Sequence, residues 1–399
     1  MQSIPETGHI MVPAAAPTYD LAVAGAGIFG LSIAHRAIRQ GLKVVVLEAQ
    51  HVGAGSSGGL LGALMPHMPA RWNPKKEFQF QALRSLENHI RELEQETGAD
   101  CCYARCGRIL PLTTEDKLEH HLERAKESKL RWHPEQTGFS YVVEPAGSRS
   151  DWLEASAAPY GIVYETLAAR ASPRDYLAAL AGFVRHRGTL LEGARVTGFD
   201  EQTGKISLAD KDPVSAARLV LSGGFAAFDL IQHFTGEQIG RGEKGQALLL
   251  EGKGLEHHPA IYCDGLYVVP HDKGTVAIGS TADRDFEDAA PSPARSAELV
   301  ARATAFCPGL KGRQVLTDWA GIRPRCNKRD PLIGRLPGYE TLFAATGGFK
   351  ISFGIAHLVA DCLVSEITGT APQLELPETF RPDHHFGANR LAADGWVKA

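Results

Sequence analysis

The stretch LAVAGAGIFGLSIAHRAIRQGLKVVVLE, residues 21–48, constrains this chain more than any other. Gly25, Gly27 and Gly30 form G-x-G-x-x-G between a short apolar run and a helical pattern. In such a turn Gly25 permits the tight bend, Gly27 lets backbone approach a pyrophosphate, and Gly30 allows helix and strand to pack closely. The helix beginning near Ile28 points free N–H groups and the positive end of its dipole at phosphates. Gly41 then turns the chain into KVVVLE, where Glu48 stands 18 residues beyond Gly30. A carboxylate there accepts hydrogen bonds from ribose hydroxyls and repels a 2′-phosphate. Strand, turn, helix, strand and terminal acid in register predict a βαβ unit for an adenine dinucleotide, leaving NAD and FAD open.

The loop that follows, AQHVGAGSSGGLLGALMP, narrows the choice. Backbone at Ala49 and Gly62 and the hydroxyls of Ser56 and Ser57 suit packing against a second phosphate and a flat ring system. That favours FAD, whereas an NAD dehydrogenase usually runs on into further βα units; a flexible surface loop is the bland alternative.

At 399 residues the chain is long enough for about two domains and a large ligand site. Its 44% hydrophobic and 22% charged residues and formal charge of -4 give no sign of disorder or of a polyanion partner. No nucleic acid is therefore expected. The start, MQSIPETGHIMVPAAAPTYD, lacks the basic and apolar regions of a secretory signal and reads as a loose tail over 1–17. No apolar run is long enough to span a membrane. The odd number of cysteines, seven, argues for free thiols in a reducing compartment, so the cytoplasm is the expected location. CCYARC (Cys101, Cys102, Cys106) with His120 and His121 lacks paired CxxC spacing, and no metal is expected. His257–His258 and His384–His385 read as surface-loop residues.

Helical patterns cover much of Gln79 to about Lys129, interrupted by a strand in GRILPL. Ser172, Pro173 and Gly188 predict a capped helix between them. Short runs such as ARVTGFD, RLVLSGG, QALLLEG, GLYVVP and TVAIGST predict strands, and a last helix is expected from about Ile351 to Ile367. The expected fold class is α/β (α+β overall): a discontinuous Rossmann-like FAD-binding domain of glutathione-reductase type with an inserted antiparallel-sheet substrate domain. The nucleotide-binding segments are placed at 18–75, 150–224 and 325–372, the substrate or cap segments at 76–149 and 225–324, and a C-terminal extension at 373–399.

From Tyr19 to about Gly369 the chain resembles the glycine oxidase and D-amino acid oxidase family of FAD-dependent amine oxidoreductases, and its glycine oxidase members most. Three places carry the resemblance: GAGIFGLSIAHRAIRQGLKVVVLE with its small-residue loop, LYVVPHDKGTVAIGSTADRDFED, and WAGIRPRCNKRDPLIGRLPGYETLFAATGGFKISFGIAHLVADCLVSEITG. The resemblance implies noncovalent FAD. It puts Arg323 in the position of the substrate-carboxylate arginine and Tyr267 in that of an active-site tyrosine. Val196 falls on the strand that contacts adenine, and Ser222, Gly223 and Gly224 on the turn near the pyrophosphate. Gly347, Gly348, Phe349, Lys350 and Ile351 fall at the flavin's pyrimidine edge, where a helix N-terminus stabilises developing negative charge. Ser222 and Phe225 depart from the usual Ala and Trp, Gly348 stands for a frequent His, Lys350 for an arginine and His357 for a common Pro.

The function so implied is hydride transfer from a small amino acid or secondary amine to flavin N5. An imine forms and is hydrolysed to an oxo acid and an amine or ammonia, with O2 or another acceptor reoxidising the flavin. A flavin half similar to that of the bifunctional tRNA wobble-uridine enzyme, a non-catalytic flavoprotein for binding or sensing, and an NAD dehydrogenase are the alternatives. A homo-oligomer stays open.

Overall fold

The computed structural model describes residues 18–386. The expected tail at 1–17 and residues 387–399 of the expected C-terminal extension lie outside the described residues. Two large sheets organise the rest. In the six-stranded sheet the order is Leu332–Arg335, Leu342–Thr346, Leu219–Leu221, Leu21–Ala24, Val44–Leu47, Thr189–Leu191. All neighbours run parallel except the edge strand Leu332–Arg335. These strands come from three distant stretches of sequence, which makes this half of the fold discontinuous.

The sheet's short apolar strands are buried on both faces, as a parallel sheet requires. Leu21, Val23, Val44 and Val46 join one core with the helices Ile28–Arg39, Pro173–Arg187 and Ser352–Thr368. Ala22, Ala24, Val45 and Leu47 join another, with Val196, Ile206 and the helix Ala227–Thr235. Alternate residues thus serve opposite faces. Ser172 caps its helix as expected, accepting from the Asp175 N–H at 3.3 Å, and Gly188 follows the last helical residue.

The eight-stranded sheet runs Val315–Cys326, Gly240–Glu251, Thr275–Gly279, Leu266–His271, Ala260–Cys263, Arg108–Pro111, Ile162–Glu165, Tyr141–Glu144. It is antiparallel but for the pairing of Ala260–Cys263 with Arg108–Pro111. Strand Ile162–Glu165, inside a stretch expected with the nucleotide-binding segments, hydrogen-bonds into this sheet. One face packs Leu248, Val268 and Ile278 under the helix Pro293–Phe306. Glycines and polar groups interrupt the other face. There Arg108 Nε meets Glu165 Oε1 at 3.0 Å, with the two side chains only 3% and 0% exposed.

His385 differs from the sequence expectation: it is buried, with Nε2 3.0 Å from the Pro331 carbonyl oxygen. Pro382–Phe386 forms a short helix whose Phe386 joins a core, and this draws His385 inside. All seven cysteines are free thiols. Among the described residues no helix is long and apolar enough to cross a membrane.

Burial pushes the imidazoles of His121, His271 and His385 each down to about 4. The folded chain holds them neutral, whereas in an unfolded chain they protonate near their ordinary value of about 6.5. Below that value the unfolded state binds the extra protons. Stability should therefore be intact above about pH 6.5 and fall as pH drops toward about 4. Urea unfolding at pH 7.5 and 5 should give a lower midpoint at pH 5; equal midpoints would contradict this.

Candidate functional site

The tips of the central parallel strands leave a cleft of about 620 Å³. Gly25 ends the first strand at φ +116°, and a Cβ there would lie 2.5 Å from the Ser222 carbonyl oxygen. Two strand ends therefore meet only because Gly25 is bare. Gly30 does the close packing expected of it, since its Cβ would come within 2.0 Å of the Gly25 carbonyl oxygen. Glu48 Oε2 accepts from the Ala26 N–H at 2.8 Å, and its Oε1 from the Gln50 N–H at 2.9 Å. Those bonds fix a carboxylate on the cleft wall, each oxygen keeping a lone pair for a ribose hydroxyl. Ser57 Oγ accepts from Ile28 N at 3.1 Å, tying the small-residue loop to the start of the helix.

Gly25, Gly27, Ile28, Glu48, Ala49, Ser56 and Ser57 all line this cleft. So do Val196, Ser222, Gly223, Gly224, Gly347 and Gly348 from the later segments. The Ser222 hydroxyl itself is spent on the Ala345 carbonyl oxygen, at 3.0 Å. Gly30, Gly62, Tyr267, Arg323, Phe349, Lys350 and Ile351 lie off the lining. Gly62 instead makes room for the Ala171 carbonyl, 1.9 Å from its would-be Cβ, and for His271. Gly348 is explained by Ser352 Oγ and the Phe29 ring, which would lie 2.4 and 2.6 Å from a Cβ. Phe29 and Ser352 line the cleft beside it, and neither stood out in the sequence.

Strand Val315–Cys326 closes the cleft on the side of the large sheet. Ala320, Ile322 and Pro324 line it, which puts Trp319, Arg323 and Arg325 on the strand's other face. Gly321 is covered by the Trp319 indole, 2.4 Å from its would-be Cβ. The Arg323 guanidinium lies over Gly245, where a Cβ would come within 2.3 Å of Nη2, and its centre is 5.3 Å from the Phe349 ring. Nη1 donates to Ser280 Oγ at 2.9 Å, and Nη2 to the carbonyl oxygens of Thr281 at 2.5 Å and Lys244 at 3.3 Å. Nε is buried and has no partner. Burial draws Arg323 below its ordinary value, against the pull of Glu243 and Asp283. Among the described residues no carboxylate forms an ion pair with it.

Phe349 holds φ +48°, an uncommon conformation for a bulky residue. Arg325, paired with Glu243, lies 5.1 Å from the same ring, and Lys350 Nζ lies 5.5 Å from it. Three cations surround one ring, while Glu243 is paired with Arg325 and Asp283 with Arg295, which leaves this corner positive.

Tyr267 shares a face with Arg323. It pairs with Gly279, Gly279 with Ala247, and Ala247 with Trp319, so a row of small side chains joins the two. At ordinary sheet spacings they stand about 14 Å apart across the strands and about 13 Å along them. Tyr267 packs on Tyr262 at 4.5 Å between rings, and burial raises its pKa against the pull of Arg108. The structure thus places the two predicted substrate residues at opposite ends of a Gly/Ala floor. Gly279 falls in the stretch TVAIGST that carries part of the resemblance, whereas Gly245, the other glycine of that floor, carried no sequence signal of its own.

Comparison with known proteins bears on this arrangement. The model of the FAD dependent oxidoreductase (DAO) family matches residues 20–362. A glycine oxidase of Bacillus licheniformis is 24% identical over 93% of this chain and 99% of its own length. A glycine oxidase of Pseudomonas putida is 26% identical over 92% and 99%. The crystal structure of glycine oxidase from Geobacillus kaustophilus superposes with a TM-score of 0.84 at 21% identity, covering 92% of this chain and 99% of that one.

Gly25→Ala tests the crossing of the strand ends. It should cost about 1–3 kcal/mol by overpacking and strip the purified protein of dinucleotide, read from the denaturation midpoint and the absorbance of released cofactor. Wild-type cofactor content would contradict the role given to this turn.

Proposed function

The chain belongs to the FAD dependent oxidoreductase (DAO) family, which makes FAD its cofactor and amino acids or amines its substrate class; from that premise we propose that it oxidises a small amine bearing a carboxylate. The observation that carries the finer reading is Arg323, a buried cation with no ion-pair partner among the described residues and an unsatisfied Nε–H, on the strand whose Ile322 and Pro324 line the cleft. The residues present suit FAD. Bare backbone at Gly27, Gly223, Gly224 and Gly348 leaves a cradle for phosphates and a flat ring, and Glu48 is held ready for a ribose. Among the described residues no His or Cys lines the cleft, which supports noncovalent binding.

Arg323 grips the substrate carboxylate. Its Nε–H and the Nη2–H now spent on the long bond to Lys244 lie on one edge of the guanidinium and form a side-on fork. Gly245 and Phe349 hold that plane in place, and Ser280 and Thr281 fix its far side. Tyr267, packed on Tyr262, closes the other end of the floor. Lys350 and the first turn of Ser352–Thr368 supply positive charge where the ring gains electrons. FAD held by Gly27, Gly223, Gly224, Gly348 and Glu48 would supply a two-electron acceptor for oxidation of the carbon that bears the amine. The amine must enter neutral, with its lone pair free, and water then converts the imine to an oxo acid and an amine or ammonia.

Anaerobic mixing of the FAD-loaded protein with glycine, sarcosine and D-amino acids should bleach the flavin with at least one of them; no bleaching with any amine would overturn the reading. Arg323→Ala should weaken carboxylate substrates or inhibitors by about 2–5 kcal/mol. Gly245→Val, which takes the guanidinium's seat, should raise KM about tenfold, or about 1.4 kcal/mol, with FAD content unchanged. Unchanged KM in both variants would remove Arg323 from the substrate site.

A further inference from the structure

The strand Val315–Cys326 is the edge of the large sheet, and it changes character at Trp319. Val315, Leu316, Thr317 and Asp318 are exposed, whereas from Trp319 to Cys326 every residue is half-buried or buried. The small-residue loop provides part of that cover. A Cβ on Gly59 would lie 3.0 Å from Trp319 Cζ3 and 3.5 Å from the Ser56 carbonyl oxygen. A Cβ on Gly321 would lie 2.5 Å from Trp319 Cη2 and 3.3 Å from Ser56 Cα. The indole is therefore wedged between two stretches of bare backbone, the loop at Gly59 and its own strand at Gly321.

Arg323 takes the neighbouring place. Gly321 pairs with Gly245 in register, and a Cβ on Gly245 would lie 2.8 Å from Arg323 Nη1. In a directly opposed antiparallel pair the two Cβ positions are about 4.5–5.5 Å apart. The outer edge of the indole and the guanidinium thus lie side by side over one Gly–Gly pair, reached from the same face of the strand. Close-packed groups pass a displacement on rather than absorb it. A shift of the loop at Gly59 moves the indole, and a shift of the indole disturbs the seat of the guanidinium.

We propose that Trp319 is a positioning residue for cofactor and substrate together: its indole clamps the loop that brings Ser56 and Ser57 to the dinucleotide cleft and holds the Arg323 guanidinium in place for a carboxylate. Ser56 and Ser57 line that cleft, and Ser57 Oγ accepts from Ile28 N at the start of the helix. The loop's far end is held separately, His271 Nε2–H donating to the Leu61 carbonyl oxygen at 3.1 Å. Trp319 governs the Gly59 end. The carboxylate half of the proposal rests on the reading of Arg323 given above, and the cofactor half does not.

Two dissociation constants test it: FAD with the apoprotein, followed by flavin fluorescence, and acetate with the FAD-loaded protein, followed by flavin absorbance. Trp319→Leu should raise each at least about tenfold. Trp319→Tyr, which keeps a long flat ring, should recover most of both losses, and the apoprotein Tm measured alongside separates this from a loss of fold. Gly321→Ala, a smaller change that serves if Trp319→Leu does not fold, should dislodge the indole and weaken both ligands, yet add little once combined with Trp319→Leu. A wild-type constant for either ligand in Trp319→Leu would overturn the proposal, as would a tyrosine no better than leucine. Should Arg323→Ala bind acetate as tightly as wild type while Trp319→Leu weakens both ligands, the role of Trp319 would stand and the substrate role of Arg323 would fall. Acetate lost in Arg323→Ala but unaffected in Trp319→Leu would do the reverse.

Discussion

Bare backbone at the tips of the central sheet is the constraint on which the rest depends. The strand ending at Ala24 and the strand ending at Leu221 approach so closely that the Ser222 carbonyl fills the space a Gly25 side chain would need. The following helix sits equally tight, with Gly30 against the Gly25 carbonyl. That contact aims the helix N-terminus into the cleft, positions Glu48 through the Ala26 N–H, and lets Ser57 tie down the loop behind. A dinucleotide site here follows from the absence of side chains as much as from any functional group.

The large sheet supplies a second version of the same device. Gly245, Gly279 and Gly321 clear a floor on its inner face, and long side chains lie flat across it: Arg323 over Gly245 and Trp319 over Gly321. A guanidinium laid on bare backbone, capped by the Phe349 ring and bonded on its far side, has few rotamers left. Its orientation is settled before any carboxylate arrives, which is the physical content of preorganisation.

Legibility in the sequence divides along the same line. The nucleotide half could be read because its demands are local: Gly25, Gly27, Gly30 and Glu48 follow one another in a single unit, and Ser172 with Gly188 marks a helix from end to end. The seat of Arg323 could not, since Gly245 and Phe349 reach it only through long-range pairing of Gly240–Glu251 with Val315–Cys326 and through a helix start 26 residues further on. His385 was misread for a similar reason: an exposed-looking pair of histidines gives no hint that Phe386 will pull one of them into a core.

The central claim is that Arg323 offers its free edge to a carboxylate lying against FAD. A crystal structure of the FAD-loaded protein soaked with acetate tests it most directly. The account predicts acetate bonded to Arg323 Nε and Nη2, beside the flavin and near Gly348, with the bond to the Lys244 carbonyl released. An acetate-free Arg323 still bonded to Ser280, Thr281 and Lys244, with the flavin's open face turned elsewhere, would contradict it.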